Sequence, residues 1–188
     1  RDLFSYVPKQ KNLAYLAIFI AALSSFFSVG AFYFLYRFFS ELIVSKNAES
    51  SYYYAGLIIV MMLAGAFFYF SSGLISHFVA FRLETNLRKR GIDGLKNSNF
   101  SYFNNNTSGK IRKIIDDNAA ETHAIVAHLI PDTAAMIVTP LLIIAMAFAI
   151  NIYIGLALLL LIAIGALQIK NMMGEAVFMD RYTKALDN

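Results

Sequence analysis

The chain has 188 residues, of which 59% are hydrophobic and only 15% charged, with a mean hydropathy of +0.59. That balance excludes an ordinary soluble domain and points to a membrane protein. The absence of cysteine excludes disulfides and thiolate metal sites, and the net charge of +4 sits beside apolar spans, not in an array fit for nucleic acid.

Residues 1–12 mix Arg1, Lys9 and Lys11 with Leu3, Phe4, Tyr6 and Val7, as expected of an interfacial segment on the inner headgroups. No charge occurs from Leu13 to Tyr36, and these 24 residues reach about 36 Å as a helix, enough to cross a bilayer with tilt. This is the first expected span, 13–36. Arg37 to Ser51 forms a short polar connection, and Tyr52, Tyr53 and Tyr54 read as an interfacial aromatic anchor. The second span, 52–81, carries one interruption, His77. Beyond it Leu83, Leu87, Ile92 and Leu95 keep helical spacing while Arg88, Lys89, Arg90 and Lys96 occupy other faces. The helix is therefore expected to continue through 82–97, beyond the bilayer.

The stretch 98–107 is a polar turn containing Phe100, Tyr102 and Phe103. Helical spacing resumes with Ile111, Ile114, Ile115, Ala119, Thr122, Ile125, Val126 and Leu129, predicting a third helix over 108–150 whose span is Ala134 to Ile150 and is kinked at Pro140. Asn106, Thr107 and Ser108 are its candidate N-caps, and Gly109 is a candidate sharp turn. After Asn151 a fourth span is expected at 152–169, with 170–188 beginning a second charged loop. A cytosolic N-terminus places fourteen of the sixteen Lys and Arg inside and leaves Arg37 and Lys46 outside, as the positive-inside rule favours.

Several polar or adaptable residues have both a functional and a plain reading. His77, Phe67 and Met61 are candidates for a substrate path, and Phe26, Phe27, Met62 and Phe68 for an adaptable apolar lining; all of them equally suit packing between helices. Arg37 can meet an anionic substrate or snorkel to the interface. Asp117, Glu121 and His128 share a face, but Glu121 and His128 stand two turns apart with no converging pair, so a charged interhelical face is the better reading than a metal site. No Gly-x4-Gly-Lys-Ser/Thr loop occurs, so nothing in the chain binds ATP by that route, and no nucleophile with its base can be argued for.

The spans and the turn together resemble the transmembrane domain of ATP-binding cassette transporters of the exporter fold. Tyr102-Phe103 match the family's paired aromatics, Ser108-Gly109 its small-Gly pair and Ile111 the following aliphatic; Asn99, Asn104 and Lys110 depart from the usual Pro and acidic residues. The run Gly109 to Asn118, with Ala127 to Asp132 and Tyr182 to Asn188, is similar to a bacterial subgroup that includes siderophore importers.

The resemblance implies an all-α membrane protein, the N-terminal part of a six-helix domain with long cytosolic extensions. It implies a first coupling helix at 98–107, with Phe100, Ser101, Tyr102, Phe103, Asn104 and Gly109 at the contact with a nucleotide-binding domain that this sequence does not contain. ATP and Mg2+ are then expected in that missing domain, and the other partners are membrane lipid, a second half-transporter forming a homo- or heterodimer, and a small-molecule substrate. The implied function is ATP-driven movement of a small amphipathic molecule across the bacterial cytoplasmic membrane by alternating access. A siderophore importer on the same fold is the alternative, and a four-span channel or scaffold without ATPase is the alternative of another class.

Overall fold

In the computed structural model of the chain, residues 6–99, 102–103 and 107–186 are described, the side chains of 174–186 excepted. All regular structure among the described residues is helical. Four helices are long and apolar enough to cross a membrane: α1 (Lys11–Phe39), α2 (Ala48–Lys96), α3 (Ser108–Ile150) and α4 (Ile152–Leu186).

Helix α1 is entered through a 3-10 turn, Pro8–Gln10, in which proline supplies the fixed φ suited to a first helical position. The preceding segment packs on the protein itself, where Val7 is buried in one cluster with Val79, Ala80 and Leu83 of α2. Asn86 Nδ2 also donates to the Tyr6 carbonyl at 2.8 Å, and the Arg90 guanidinium lies 5.0 Å from the Tyr6 ring centre. At its far end α1 loosens into a π-helical turn, Ser40–Val44, and the chain reverses through Lys46, whose φ is +51°. Asn47 then caps α2 by accepting from the Ser50 N–H at 3.1 Å.

The 49 residues of α2 make a rod of about 73 Å, more than twice the hydrocarbon thickness. Gly91 and Gly94 lie within it without breaking it, since Leu83 and Leu87 hold the charged portion to the core cluster. Its end is closed by side chains: Asn97 Nδ2 donates to the Asp93 carbonyl at 3.0 Å and Ser98 Oγ to that of Gly94 at 2.9 Å. Helix α3 starts at an extended Thr107, whose hydroxyl accepts from the Lys110 N–H at 3.4 Å, and passes through a π-helical turn at Lys113–Asp117. Pro131 and Pro140 both lie inside it.

Residues 1–140 and 141–188 form two compact units. In the first, α1 and α2 meet along a stripe of small residues. Ala14, Ala17, Ala21, Ser24 and Ser25 of α1, and Gly65, Ser72, Ser76 and Ala80 of α2, are all buried. The backbones approach closely enough for hydroxyls to bond across: Ser24 Oγ donates to the Gly65 carbonyl at 2.9 Å and Ser72 Oγ to that of Ala17 at 2.7 Å. A Cβ on Gly65 would stand 2.9 Å from Ser28 Oγ, so any larger residue there must displace that hydroxyl, and the facing backbone lies within 3.6 Å.

In the second unit α4 follows α3 after Asn151 alone, whose Oδ1 accepts from the Tyr153 N–H at 2.8 Å. Gly155 faces Phe148, where a Cβ would overlap the ring at 2.5 Å. Helix α4 does not end at Ile169 as expected but runs to Leu186. No proline follows Ile169 to stop it.

Candidate functional site

Helices α2 and α3 run antiparallel, so their facing residues are about equidistant from residue 102 in the turn between them, and a ladder of polar contacts follows. Nearest the turn, Gly91 makes room for Ile115, whose Cγ1 would be 3.1 Å from a Cβ there. Next, Arg88 Nη2 meets Glu84 Oε1 at 2.8 Å within α2, and Arg88 Nε stands 3.6 Å from Asp116 Oδ1, an ion contact without an aligned hydrogen bond. The other Glu84 oxygen, Oε2, lies 2.9 Å from His123 Nδ1. The two atoms are close without making an aligned hydrogen bond.

Three imidazoles follow. His77 of α2 lies between His123 and His128 of α3, with ring centres 5.7 Å and 5.5 Å away, and Phe81 meets the His123 ring edge-on at 4.3 Å. Beside them Ser76 Oγ donates to the Ala127 carbonyl at 2.7 Å, occupying a backbone acceptor of α3 four residues before Pro131. That acceptor is the one the missing N–H of Pro131 leaves open, so the serine repairs the proline's defect. Farther along, Tyr69 donates its hydroxyl proton to Asp132 Oδ1 at 2.8 Å.

Two cavities flank Tyr69. The larger, about 640 Å3, lies among α1, α2 and α3 and is walled by Ser24, Ser25, Ser28, Phe32, Leu35, Met62, Gly65, Tyr69, Ala135 and Thr139, among others. On its wall the Thr139 hydroxyl donates to Ser25 Oγ at 3.0 Å. The smaller, about 300 Å3, lies between α2 and α3 against Tyr69, Phe70, Gly73, Leu74, His77, Ala127, His128 and Pro131.

Of the expected substrate-path residues, His77 lines the smaller cavity. Met61 packs over Gly30, its Sδ 3.7 Å from where a Cβ would be, and Phe67 is 66% exposed; neither lines the two cavities, whereas Met62 does. Phe27 and Phe68 stack across the α1–α2 seam with ring centres 5.2 Å apart, while Phe26 is exposed on its outer side. Arg37 is already engaged by Glu41 and Tyr54: Nη2 lies 3.4 Å from Glu41 Oε1 and donates to the Tyr54 hydroxyl at 3.2 Å. Among the described residues no group of three His, Asp or Glu is arranged to hold a metal, and Asp117, Glu121 and His128 do not converge.

At the turn, Phe100, Ser101 and Asn104 lie outside the described residues. Tyr102 and Phe103 form one helical step, with the Tyr102 N–H bonded to the Asn99 carbonyl at 3.1 Å. Their rings meet edge-on at 5.7 Å, and Phe103 is exposed. Gly109 does not make the turn. It lies in the first turn of α3, its φ is not positive, and a Cβ there would meet nothing; the extended Thr107 redirects the chain instead.

His123, Glu84 and the Tyr69–Asp132 pair are site residues that spacing along each helix separately does not reveal. The signal for them is the hairpin: folding the sequence back about residue 102 brings 88 to 116, 77 to 127 and 69 to 135, each within a turn of the observed partner.

Most large apolar side chains of all four helices are exposed in this chain, from Phe19 in α1 to Ile169 in α4. Such surface is stable only against lipid or further apolar helices, as in a multi-pass membrane protein. The family model for the ABC transporter transmembrane region matches residues 14–169, while no curated protein gives a significant match. The match covers most of the chain, including all four long apolar helices in whole or in part, and the chain belongs to the ABC transporter transmembrane region family.

Proposed function

We propose that this chain moves a small amphipathic molecule across the bacterial cytoplasmic membrane by alternating access, with its N-terminus, the 82–132 region and its C-terminus in the cytosol. Nucleotide-binding domains, expected of the family, would hold ATP and Mg2+ and push on the turn between α2 and α3. A second half-transporter, identical or related, completes the path. Import of a siderophore on the same fold is the narrower form of this reading, supported only by the likeness of residues 109–118 and 127–132 to that subgroup.

The observation that carries the proposal is the rigid hairpin. Helix α2 continues unbroken from its apolar run through Arg82 to Lys96, and α3 is tied to it by Arg88, Asp116, Glu84 and His123. Displacement of its tip is therefore transmitted to the level of the cavities. At that tip Tyr102 and Phe103 supply stiff aromatic area of the kind that anchors protein contacts at low entropic cost.

Replacing Tyr102 and Phe103 together with Ala in the intact transporter is expected to lower coupled transport by about tenfold or more, the scale of losing one interface anchor. Membrane insertion should be preserved. Transport and substrate-stimulated ATP hydrolysis both equal to wild type would remove the turn from the coupling path.

A further inference from the structure

We infer that the three histidines of the chain form one proton-binding site in the α2–α3 seam, and that filling it loosens α3 from α2 beside the smaller cavity. The inference goes beyond the transporter reading and needs only the packing of α2 on α3.

The chain has three histidines, and all three meet. His77 reaches across from α2 to lie between His123 and His128 of α3, its ring centre 5.7 Å from the first and 5.5 Å from the second. Imidazole is the side chain whose charge ordinarily changes between about pH 5 and about pH 8. His77 and His128 wall the cavity of about 300 Å3, and His128 is exposed, so protons have a route to the cluster.

The charges facing the three rings are unequal. On α2, Glu84 Oε2 lies 2.9 Å from His123 Nδ1, while its other oxygen is taken by Arg88, which also meets Asp116 of α3. Arg82 of α2 lies over the Phe78 ring, and Glu121 of α3 is exposed. Asp132, about one turn beyond His128, accepts from the Tyr69 hydroxyl. Helix α1 supplies Ala14 and Ala17 to the adjoining core, and its Lys11 lies over its own Tyr15 ring. Among the described residues, His123 thus has an acid beside it and His128 has one a turn away. His77 has neither a hydrogen bond nor an ion pair there, and it faces two imidazoles.

Neutral, the three rings pack. Charged together they repel, and His77 lies between two like charges with no acid to offset them. The seated arrangement therefore binds fewer protons than one in which the rings separate, so neutral pH favours the seated seam and acid the loosened one. The seam has the means to shift at this level. Ser76 Oγ lies 2.7 Å from the Ala127 carbonyl and 3.3 Å from that of Val126, so it keeps an acceptor as α3 moves. Pro131, which interrupts the hydrogen-bond ladder of α3, stands on the cavity wall, and the cavity leaves room for the helix to bend.

Paired spin labels read the separation directly. They are placed at Leu74→Cys and Ile125→Cys, both exposed positions flanking the cluster, in one half of the intact transporter in nanodiscs and on a cysteine-free background. Between about pH 8 and about pH 5.5 the wild-type separation is expected to grow reversibly by about 2 Å, the scale of a helix shift, with its midpoint in the imidazole range. His77→Gln should remove most of that growth, and His128→Gln, at the exposed ring, about half of it. A control pair at Phe19→Cys and Leu74→Cys, across the α1–α2 seam, should not move. Should His77→Gln not fold, the wild-type titration and His128→Gln still decide. A wild-type separation that is the same at both pH values, a full shift retained in the Gln variants, or an equal shift in the control pair overturns the inference. Since the labels report packing and not transport, loss of this response leaves the coupling role of Tyr102 and Phe103 standing, and unaltered coupling on their replacement leaves the proton site standing.

Discussion

The two seams of the first unit are built from opposite materials. Between α1 and α2 the contact is made by small residues: alanines, serines and Gly65 let the backbones approach, and the hydroxyls bond to main-chain carbonyls of the facing helix. Between α2 and α3 the contact is a ladder of ionisable side chains with a cavity beside it. Packing of small residues leaves one favourable arrangement, because any slide brings Cβ into backbone. Long side chains around a void tolerate several arrangements. The first seam is thus suited to hold two helices as one body along its length, whereas the second ties α3 at its charged end, through Arg88–Asp116 and Glu84–His123, and leaves room for adjustment beside the cavity.

The largest expected effect tests the first half of that contrast. Gly65→Leu drives a side chain into Ser28 and the backbone of Ser24, both already within 3.6 Å of the Cβ position. Overpacking of this kind costs about 1–3 kcal/mol, and in a close-backbone seam the upper end is expected. The apparent Tm of the purified transporter should fall by several degrees, and Gly65→Ala combined with Ser28→Ala should recover most of the loss. A leucine variant as stable as wild type would mean that α1 and α2 are not locked.

Hydroxyl deletions come next. Ser72→Ala removes a bond to α1 and Ser76→Ala one to α3, each 2.7 Å long and fully buried. Interhelical bonds of this type contribute about 0.6 kcal/mol, up to about 1.7. Ser76 should lie at the higher end, because the Ala127 carbonyl has also lost its helical donor to Pro131. Thermal unfolding of the two single variants side by side is the readout. Equal costs for the two serines would remove the proline-repair role.

How much of this was open to the sequence depends on whether a feature is periodic along one helix or arises between two. The crossings are legible because Leu13 to Tyr36 and Tyr52 to Phe81 hold no charge, and the extension of α2 because Leu83, Leu87, Ile92 and Leu95 keep their spacing across Arg82. Helix α4 past Ile169 is not, since a polar helix and a polar loop share composition. Asp132 reads from the sequence as a flank of the third span, and its contact with Tyr69 emerges only once the two helices are folded together. His123 carries no signal of its own, because a lone histidine on a helix is uninformative until Glu84 is known to face it.

The smallest expected change in stability sharpens the second half of the contrast. Glu84→Gln keeps the shape of the side chain and removes the charge that faces both Arg88 and His123. Arg88 is 42% exposed, so its pair with Glu84 is screened and contributes no more than about 0.5 kcal/mol. Arg88 retains Asp116 at 3.6 Å, which limits the loss further. The unit as a whole should therefore melt within about 2 °C of wild type, a smaller shift than that of the glycine substitution. Exchange should nevertheless quicken locally at residues 116–123, where α3 depends on this contact. A loss of stability matching that of Gly65→Leu would reverse the assignment: the polar ladder, and not the small-residue seam, would then be what holds the helices together.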